Sequence, residues 1–422
     1  MPSRLKSFFR ALGPGLITGA SDDDPSAIAT YSQAGAQFGY AMLWTMLFCY
    51  PFMTAIQEIS ARVGRVTGHG IGGNMRAIYP TWLTYGIALA VFAANTINIG
   101  ADIAAMGKVI GMVTGGSALG YALFIVLVSV GLQIAAPYGR YAPVLKWMTL
   151  VLFAYVAAPF FVDVPWKSAM WQTVLPKFSL SFGYLLTFVA VLGTTISPYL
   201  FFWQASLEAE NLRSRHSRPL REDGAGAVPA VQRIEIDTYF GMAVSNLIGF
   251  FIMLTCAATL HARGIMDIES ASQAADALRP IAGPGAAFLF AVGIVGTGLL
   301  AVPVLAGSAA YAVSGVAGWR SSLAAAPRQA AGFYSTLALA TILGATITLM
   351  PINPMKALYW SAVVNGVVAG PLMTLIILLA SDRGIMGEFP IPNWLKGLGW
   401  MSAGIMYASV VVLIASSMSE PF

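Results

Sequence analysis

Gly19-Ala20-Ser21-Asp22-Asp23-Asp24-Pro25-Ser26-Ala27-Ile28-Ala29-Thr30 sets three carboxylates and a proline inside an apolar segment of membrane length. A charged side chain at the centre of a bilayer costs about 2.5–3.5 kcal/mol even on lenient insertion scales, so carboxylates at that depth are retained for a function. Proline lacks an N–H and pushes the residue before it out of helical geometry, so the helix is expected to break at Asp24–Pro25. Broken backbone at this depth survives only where it lines a cavity or is buried in protein.

The surrounding chain has the composition such a segment needs. Its 422 residues are 57% hydrophobic and 10% charged, with a mean hydropathy of +0.73, which reads as an all-α integral membrane protein. No polar block is long enough to fold outside the bilayer, so residues 1–422 read as one transmembrane domain. Apolar stretches of helical membrane length fall near 12–34, 41–63, 82–106, 118–136, 141–162, 181–208, 236–260, 285–314, 332–350, 357–380 and 397–416, eleven in all. Most of the 23 Lys and Arg then collect in loops on the side of the N-terminus, which predicts a cytoplasmic N-terminus and an outer C-terminus in the cell (inner or plasma) membrane. The net charge of +5 is thus a matter of topology, and no nucleic-acid partner is expected. Arg4, Lys6 and Arg10 before an apolar run imitate a signal peptide, but that run holds the Asp cluster and has no small-residue cleavage pattern.

Smaller features divide between function and plain structure. Cys49 and Cys256 lie in apolar runs and behave as small hydrophobes, with no disulfide or zinc spacing. Trp44, Trp82, Trp166, Trp171, Trp319, Trp360 and Trp394 fall near span ends, as interfacial anchors or as packing aromatics. Residues 209–235 read as a cytoplasmic loop and flexible linker; the basic run Arg213-Ser214-Arg215-His216-Ser217-Arg218 offers a lipid-binding patch as the alternative. Asp267, Glu269 and Asp276 form a mildly acidic outer loop that either attracts cations or is simply solvated.

The sixth span repeats the opening motif in neutral form: Leu192-Gly193-Thr194-Thr195-Ile196-Ser197-Pro198-Tyr199-Leu200-Phe201-Phe202-Trp203-Gln204. Pro25 and Pro198 occupy corresponding places if 12–162 (spans one to five) and 181–380 (spans six to ten) are two repeats, with 397–416 as an additional span. Five spans is an odd number, so the second repeat would enter from the opposite side, an inverted 5+5 arrangement. Paired interrupted helices of this kind point to a binding site at the midplane. The expected site is a nest of oxygens suited to a hard divalent cation, with Asp24 and Ser197 foremost and Ser21, Asp23, Ala27 and Thr194 at the two breaks. Asp22 and Asp23 are expected to face a water-filled vestibule, leaving Asp24 as the carboxylate on the ion.

At these residues the chain resembles the Nramp family of divalent metal-ion transporters. The likeness is carried by Gly13-Pro14-Gly15-Leu16-Ile17, Asp24-Pro25, Gln33-Ala34-Gly35-Ala36-Gln37-Phe38-Gly39-Tyr40 and Gln57-Glu58-Ile59-Ser60-Ala61-Arg62 with Thr67-Gly68, and again around the sixth span. It implies a leucine-transporter-like fold, alternating access, and a metal held between the first and sixth helices. The departures bear on cargo. The family's Asp-Pro-Gly-Asn appears as Asp24-Pro25-Ser26-Ala27, and its Ala-Thr-Val-Met-Pro-His as Thr194-Thr195-Ile196-Ser197-Pro198-Tyr199. An amide and a thioether are gone and a hydroxyl is gained, which favours Mg²⁺, an ion that prefers oxygen and keeps its waters. The pattern is similar to the Nramp-related magnesium transporters.

The same comparison bears on proton coupling. The family's sixth-span histidines fall at Tyr199 and Gln204, and its Asp-Leu-Ala-Glu appears as Asp102-Ile103-Ala104-Ala105, so weak or absent coupling is expected. Asp102 reads equally as a structural partner of a neighbouring span or as a residual coupling group. Asn95 and Asn98 either face the cavity or bond another helix, Asn365 is a pathway candidate from the tenth span, and Asp237 and Asn246 are glue or pathway groups. The expected activity is transport of Mg²⁺, and also Mn²⁺. A proton-coupled Mn²⁺ or Fe²⁺ importer is the first alternative, and a sodium-coupled organic-solute transporter on the same fold the remoter one. No enzyme motif, cofactor or obligate protein partner is evident; the bilayer and the cation are the expected partners.

Overall fold

The computed structural model describes residues 18–19, 21–135, 150–214, 216–224 and 226–419, and these contain helices and turns but no strand. In chain order the principal helices are α1 Pro25–Phe38, α2 Leu43–Thr67, α3 Ile71–Ile78, α4 Thr81–Thr114, α5 Ala118–Ala135, α6 Phe182–Thr195, α7 Pro198–Ser214, α8 Ala227–Thr259, α9 Ala286–Ala317, α10 Ala331–Ile347, α11 Pro354–Ser381 and α12 Asn393–Ser419. Eight apolar stretches are long enough to cross a membrane, because α1 runs through a 3₁₀ turn into α2 and α6 stacks on α7; Leu150–Phe161 and Ala331–Ile347 are shorter apolar helices. Every expected span falls on one of these. Parts of the first and fifth, with Gly13 to Ile17, lie outside the described residues.

The lipid-like surface and the interior follow from composition. Trp82, Trp171, Trp319, Trp360 and Trp394 are exposed, as interfacial anchors should be. Trp44 behaves differently: it donates to Tyr184 Oη at 3.0 Å and stacks on Phe188, a packing aromatic. Both cysteines are free and buried.

Central to the bundle is α4, against which α9, α10, α11 and α5 pack, while α1 is enclosed by α8, α6 and α11. Close approaches depend on absent side chains. A Cβ at Gly193 of α6 would overlap the α11 backbone at Ala362 and Gly366, and one at Gly19 would overlap Gly241 of α8.

Hydropathy underestimates helix length at one end of the bundle. The expected loop 209–235 is largely helical, because α7 continues to Ser214 and α8 begins at Ala227. At 33 residues α8 is about 50 Å long, well beyond a hydrocarbon core of about 30 Å, so its first turns are polar without ceasing to be helix. The intervening turn is pinned rather than a free linker: Leu220 is buried, Leu220 N and Arg221 N donate to the Arg65 and Val66 carbonyls (3.4 and 3.1 Å), and Arg221 Nη1 reaches the Ile385 carbonyl.

Ion pairs seal the same end. Arg62 of α2 donates to Glu58 and to Glu235 of α8 (2.6 and 2.8 Å), Tyr239 donates to Glu58 at 2.6 Å, and Arg233 of α8 pairs with Glu208 of α7. Glu58 and Glu208 are fully buried, so each depends on its partner; removing one member of such a pair leaves a costly uncompensated charge.

Candidate cation site

The first break lies where proline chemistry requires it. Residues Thr18, Gly19, Ser21 and Asp22 are helical, Asp23 and Asp24 are unwound, and α1 starts at Pro25. Asp24 is the N-cap of α1, in extended geometry (φ −70°, ψ 171°), and its Oδ1 accepts from Ala27 N and Ser26 Oγ, both at 2.7 Å. Its Oδ2 accepts from Asn98 Nδ2 of α4 at 3.0 Å, and Asn98 Oδ1 accepts from Ser361 Oγ of α11 at 3.0 Å. One carboxylate therefore ties α1, α4 and α11 together, at 1% exposure. Of the two asparagines, only Asn98 turns to the carboxylates; Asn95 donates to the Leu305 carbonyl of α9 and is interhelical glue.

Asp22 and Asp23 depart from expectation. Neither faces water: they are 1% and 2% exposed, and Ser245 Oγ of α8 lies 2.8 Å from Asp22 Oδ2 and 3.1 Å from Asp23 Oδ1. The unwound turn folds both acids against α8, which supplies the polar group that a vestibule would otherwise supply. The Ser197 hydroxyl of the second break also lies beside the Asp22 carboxylate. Asp102, fully buried on α4 with Asp24 as its charged neighbour, has no side chain of a neighbouring span bonded to it; the backbone of Ser26 is the polar group beside it.

The second break, at Ile196–Ser197, is neutral. Ser197 Oγ folds back on the Thr194 carbonyl at 2.5 Å, and Thr195 Oγ1 on the Val191 carbonyl at 2.7 Å. Two tyrosines bridge the breaks. Tyr31 of α1 bonds Thr195 at 3.1 Å, and Tyr199 of α7 donates to the Ser21 carbonyl at 2.9 Å while its own carbonyl accepts from Ser308 of α9. Gln204 lies a further turn along α7, accepting from Gln57 at 3.0 Å and donating to Thr238 at 3.3 Å, away from the Asp24 cluster. Asn365 is buried on α11, one turn from Ser361, with its amide oxygen unpartnered. Asn246 donates to the Met46 carbonyl and acts as glue.

Among the described residues no group of three or more His, Cys, Asp or Glu side chains gathers as a metal cage. The arrangement instead offers one anchored carboxylate, further buried acids behind it, and neutral oxygens opposite. A cleft of about 310 Å³ opens above α1, lined by Ala29, Gln33 and Gln37, by Leu186, by Asp267 and Glu269, and by Tyr359. Gln33 fixes the acidic loop to α1, donating to Asp267 and accepting from Ile268 N, so Asp267 and Glu269 line a cleft rather than plain surface. The opposite end is closed by the ion pairs above.

Ser245 and Ser361 were not legible as partners in the sequence. Ser361 precedes Asn365 by four residues and so shares its helix face, a spacing that could have marked it; Ser245 offered only its place beside Asn246.

Residues 15–416 match the family model described as natural resistance-associated macrophage protein-like (Nramp). The chain is similar to the divalent metal cation transporter MntH 1 of Pseudomonas aeruginosa, at 25% identity over 98% of this chain and 92% of that protein. It is also similar to the divalent metal cation transporter MntH of Acidiphilium cryptum, at 26% identity over 90% of this chain and 84% of that one. In three dimensions it is similar to a manganese transporter of Eremococcus coleocola, with a TM-score of 0.76 and 16% identity over 99% of this chain and 88% of that one, a likeness of fold. Over nearly its whole length, this chain belongs to the Nramp family.

Proposed function

We propose that this protein carries divalent metal cations across the cell membrane by alternating access, taking Mg²⁺ by preference and accepting Mn²⁺. The observation that carries the reading is the Asp24 carboxylate, buried at the break of one helix, with a second, neutral break carrying the Ser197 hydroxyl tied to the first through Tyr31–Thr195 and Tyr199–Ser21. A single carboxylate without a surrounding cage of acids suits an ion that keeps several of its own waters, which is how Mg²⁺ is held. The names borne by the relatives, divalent metal cation transporters, support the divalent cargo. Ala27 and Ser197, where the family carries an amide and a thioether, are what favours the harder ion.

Transport runs without stoichiometric protons in this reading. Asp102 stands without a hydrogen-bonded relay, and Gln204 fills a histidine position with a side chain that does not titrate. Two charges crossing 100 mV gain about 4.6 kcal/mol, enough to drive uptake. The cleft lined by Asp267 and Glu269 is the outer approach, the end sealed by Arg62 and Arg233 is cytoplasmic, and 12–162 and 181–380 are inverted repeats. Proteoliposomes test the proposal. Mg²⁺ and Mn²⁺ influx above empty vesicles without metal-driven acidification is expected; no flux of either ion sinks it, and acidification in step with Mn²⁺ influx selects the proton-coupled importer.

A further inference from the structure

A second polar cavity, of about 380 Å³, lies at the sealed end of the bundle and shares no lining residue with either break. It is framed by the turn after α2, by α3, and by the last turns of α7 and α9, and its basic lining is His69, Arg76, Arg213 and Arg320. Glycines shape it. Gly68 (φ 71°) and Gly318 (φ 73°) end α2 and α9 in the left-handed region, and a Cβ at Gly318 would occupy the place of the Arg76 guanidinium.

Charge in this cavity is only partly compensated. Among the described residues neither Arg76 nor Arg320 takes part in an ion pair. Glu210 of α7 accepts from Tyr311 Oη and Leu323 N (2.6 and 2.9 Å) and offsets Arg213 in part. Arg213 Nη1 otherwise reaches only the Ser321 carbonyl, at 3.4 Å. Neutral donors face the same space. The eight-residue helix α3 begins at Ile71 after the N-cap Gly70, which supplies no side-chain cap, so its first turn brings uncapped N–H groups to the part of the cavity lined by Gly70, Gly73 and the Ser206 hydroxyl.

We propose that this cavity binds a phosphate group, carried by an anionic phospholipid headgroup or free in solution. Guanidinium forks match phosphate oxygens in pairs, and an uncapped helix N-terminus adds oriented N–H donors to them. Exposed Trp319 lines the cavity and places it at the level where headgroups lie. Arg213 of the basic run 213–218 lines it; further charge comes from Arg76 of α3 and from Arg320 just past the end of α9, far away in sequence. A bound phosphate would join the ends of α2, α3, α7 and α9.

The full-length protein tests this by native mass spectrometry with phosphatidylglycerol against phosphatidylcholine, and by calorimetric titration with inorganic phosphate. Preferential retention of phosphatidylglycerol with no heat from phosphate assigns a lipid; heat from phosphate assigns the free anion. In either case Arg76→Gln/Arg320→Gln should weaken binding about 30-fold, equivalent to about 2 kcal/mol or about 1 kcal/mol per arginine, while Arg263→Gln at the opposite end matches wild type. Arg320→Gln alone, which removes a side chain with no ion pair, should cost about 5-fold and guards against misfolding of the double variant. Equal retention of the two lipids with no phosphate heat, or unchanged binding in the arginine variants, overturns the proposal.

Discussion

The two breaks use the same backbone device and opposite chemistry. At Asp23–Asp24 the unwound turn carries acids, and the Asp24 carboxylate is held by α1 through Ser26 and Ala27 and by α4 through Asn98, which Ser361 of α11 bonds in turn. At Ile196–Ser197 the turn is neutral and its hydroxyls fold back on their own helix. The first break therefore supplies charge at a fixed position, and the second supplies room and ligand type. Affinity should follow residues around the first break, and choice of ion those around the second together with Ala27.

Changes that separate these roles have graded consequences. Restoring an amide and a thioether with Ala27→Asn/Ser197→Met should move the Mn²⁺ to Mg²⁺ transport ratio by about 100-fold toward Mn²⁺, since sulfur gives nothing to Mg²⁺; competition flux in proteoliposomes reads this, and an unchanged ratio would detach selectivity from the second break. Asn98→Ala removes a partner that orients the Asp24 carboxylate and should weaken metal binding about 10-fold or more without altering the ratio. Ser361→Ala, one bond further out, should cost about 3-fold by the same titration, from about 0.5–1 kcal/mol for a neutral hydrogen bond. The smallest effect is expected from Asp102→Asn: metal flux within about 2-fold of wild type, as removing a group outside the ion's path should leave it. A large loss there, with loss of any acidification, would restore a proton route.

Legibility in the sequence tracked the strength of the physical constraint. Pro25 and Pro198 were readable because proline forbids a hydrogen bond wherever it sits, and both breaks are found beside them. Asp24 was readable as a charge with no place in lipid. Ser245 and Ser361 were not, because a lone serine in an apolar helix is ordinary until its neighbours in space are known. The fate of Asp22 and Asp23 depended on Ser245 and was misread with it. The loop 209–235 was drawn too long for a different reason: hydropathy records bilayer thickness, and α7 and α8 continue as helix into water, held by Arg62, Arg233 and their glutamates.

The account depends above all on Asp24. Calorimetric titration of Mg²⁺ and Mn²⁺ into the wild-type protein and the Asp24→Ala variant, with folding checked by elution and helical content, measures that dependence. Saturable heats for both ions in the wild type and none in the variant are predicted; equal binding by the folded variant would contradict the assignment of the cation to the first break.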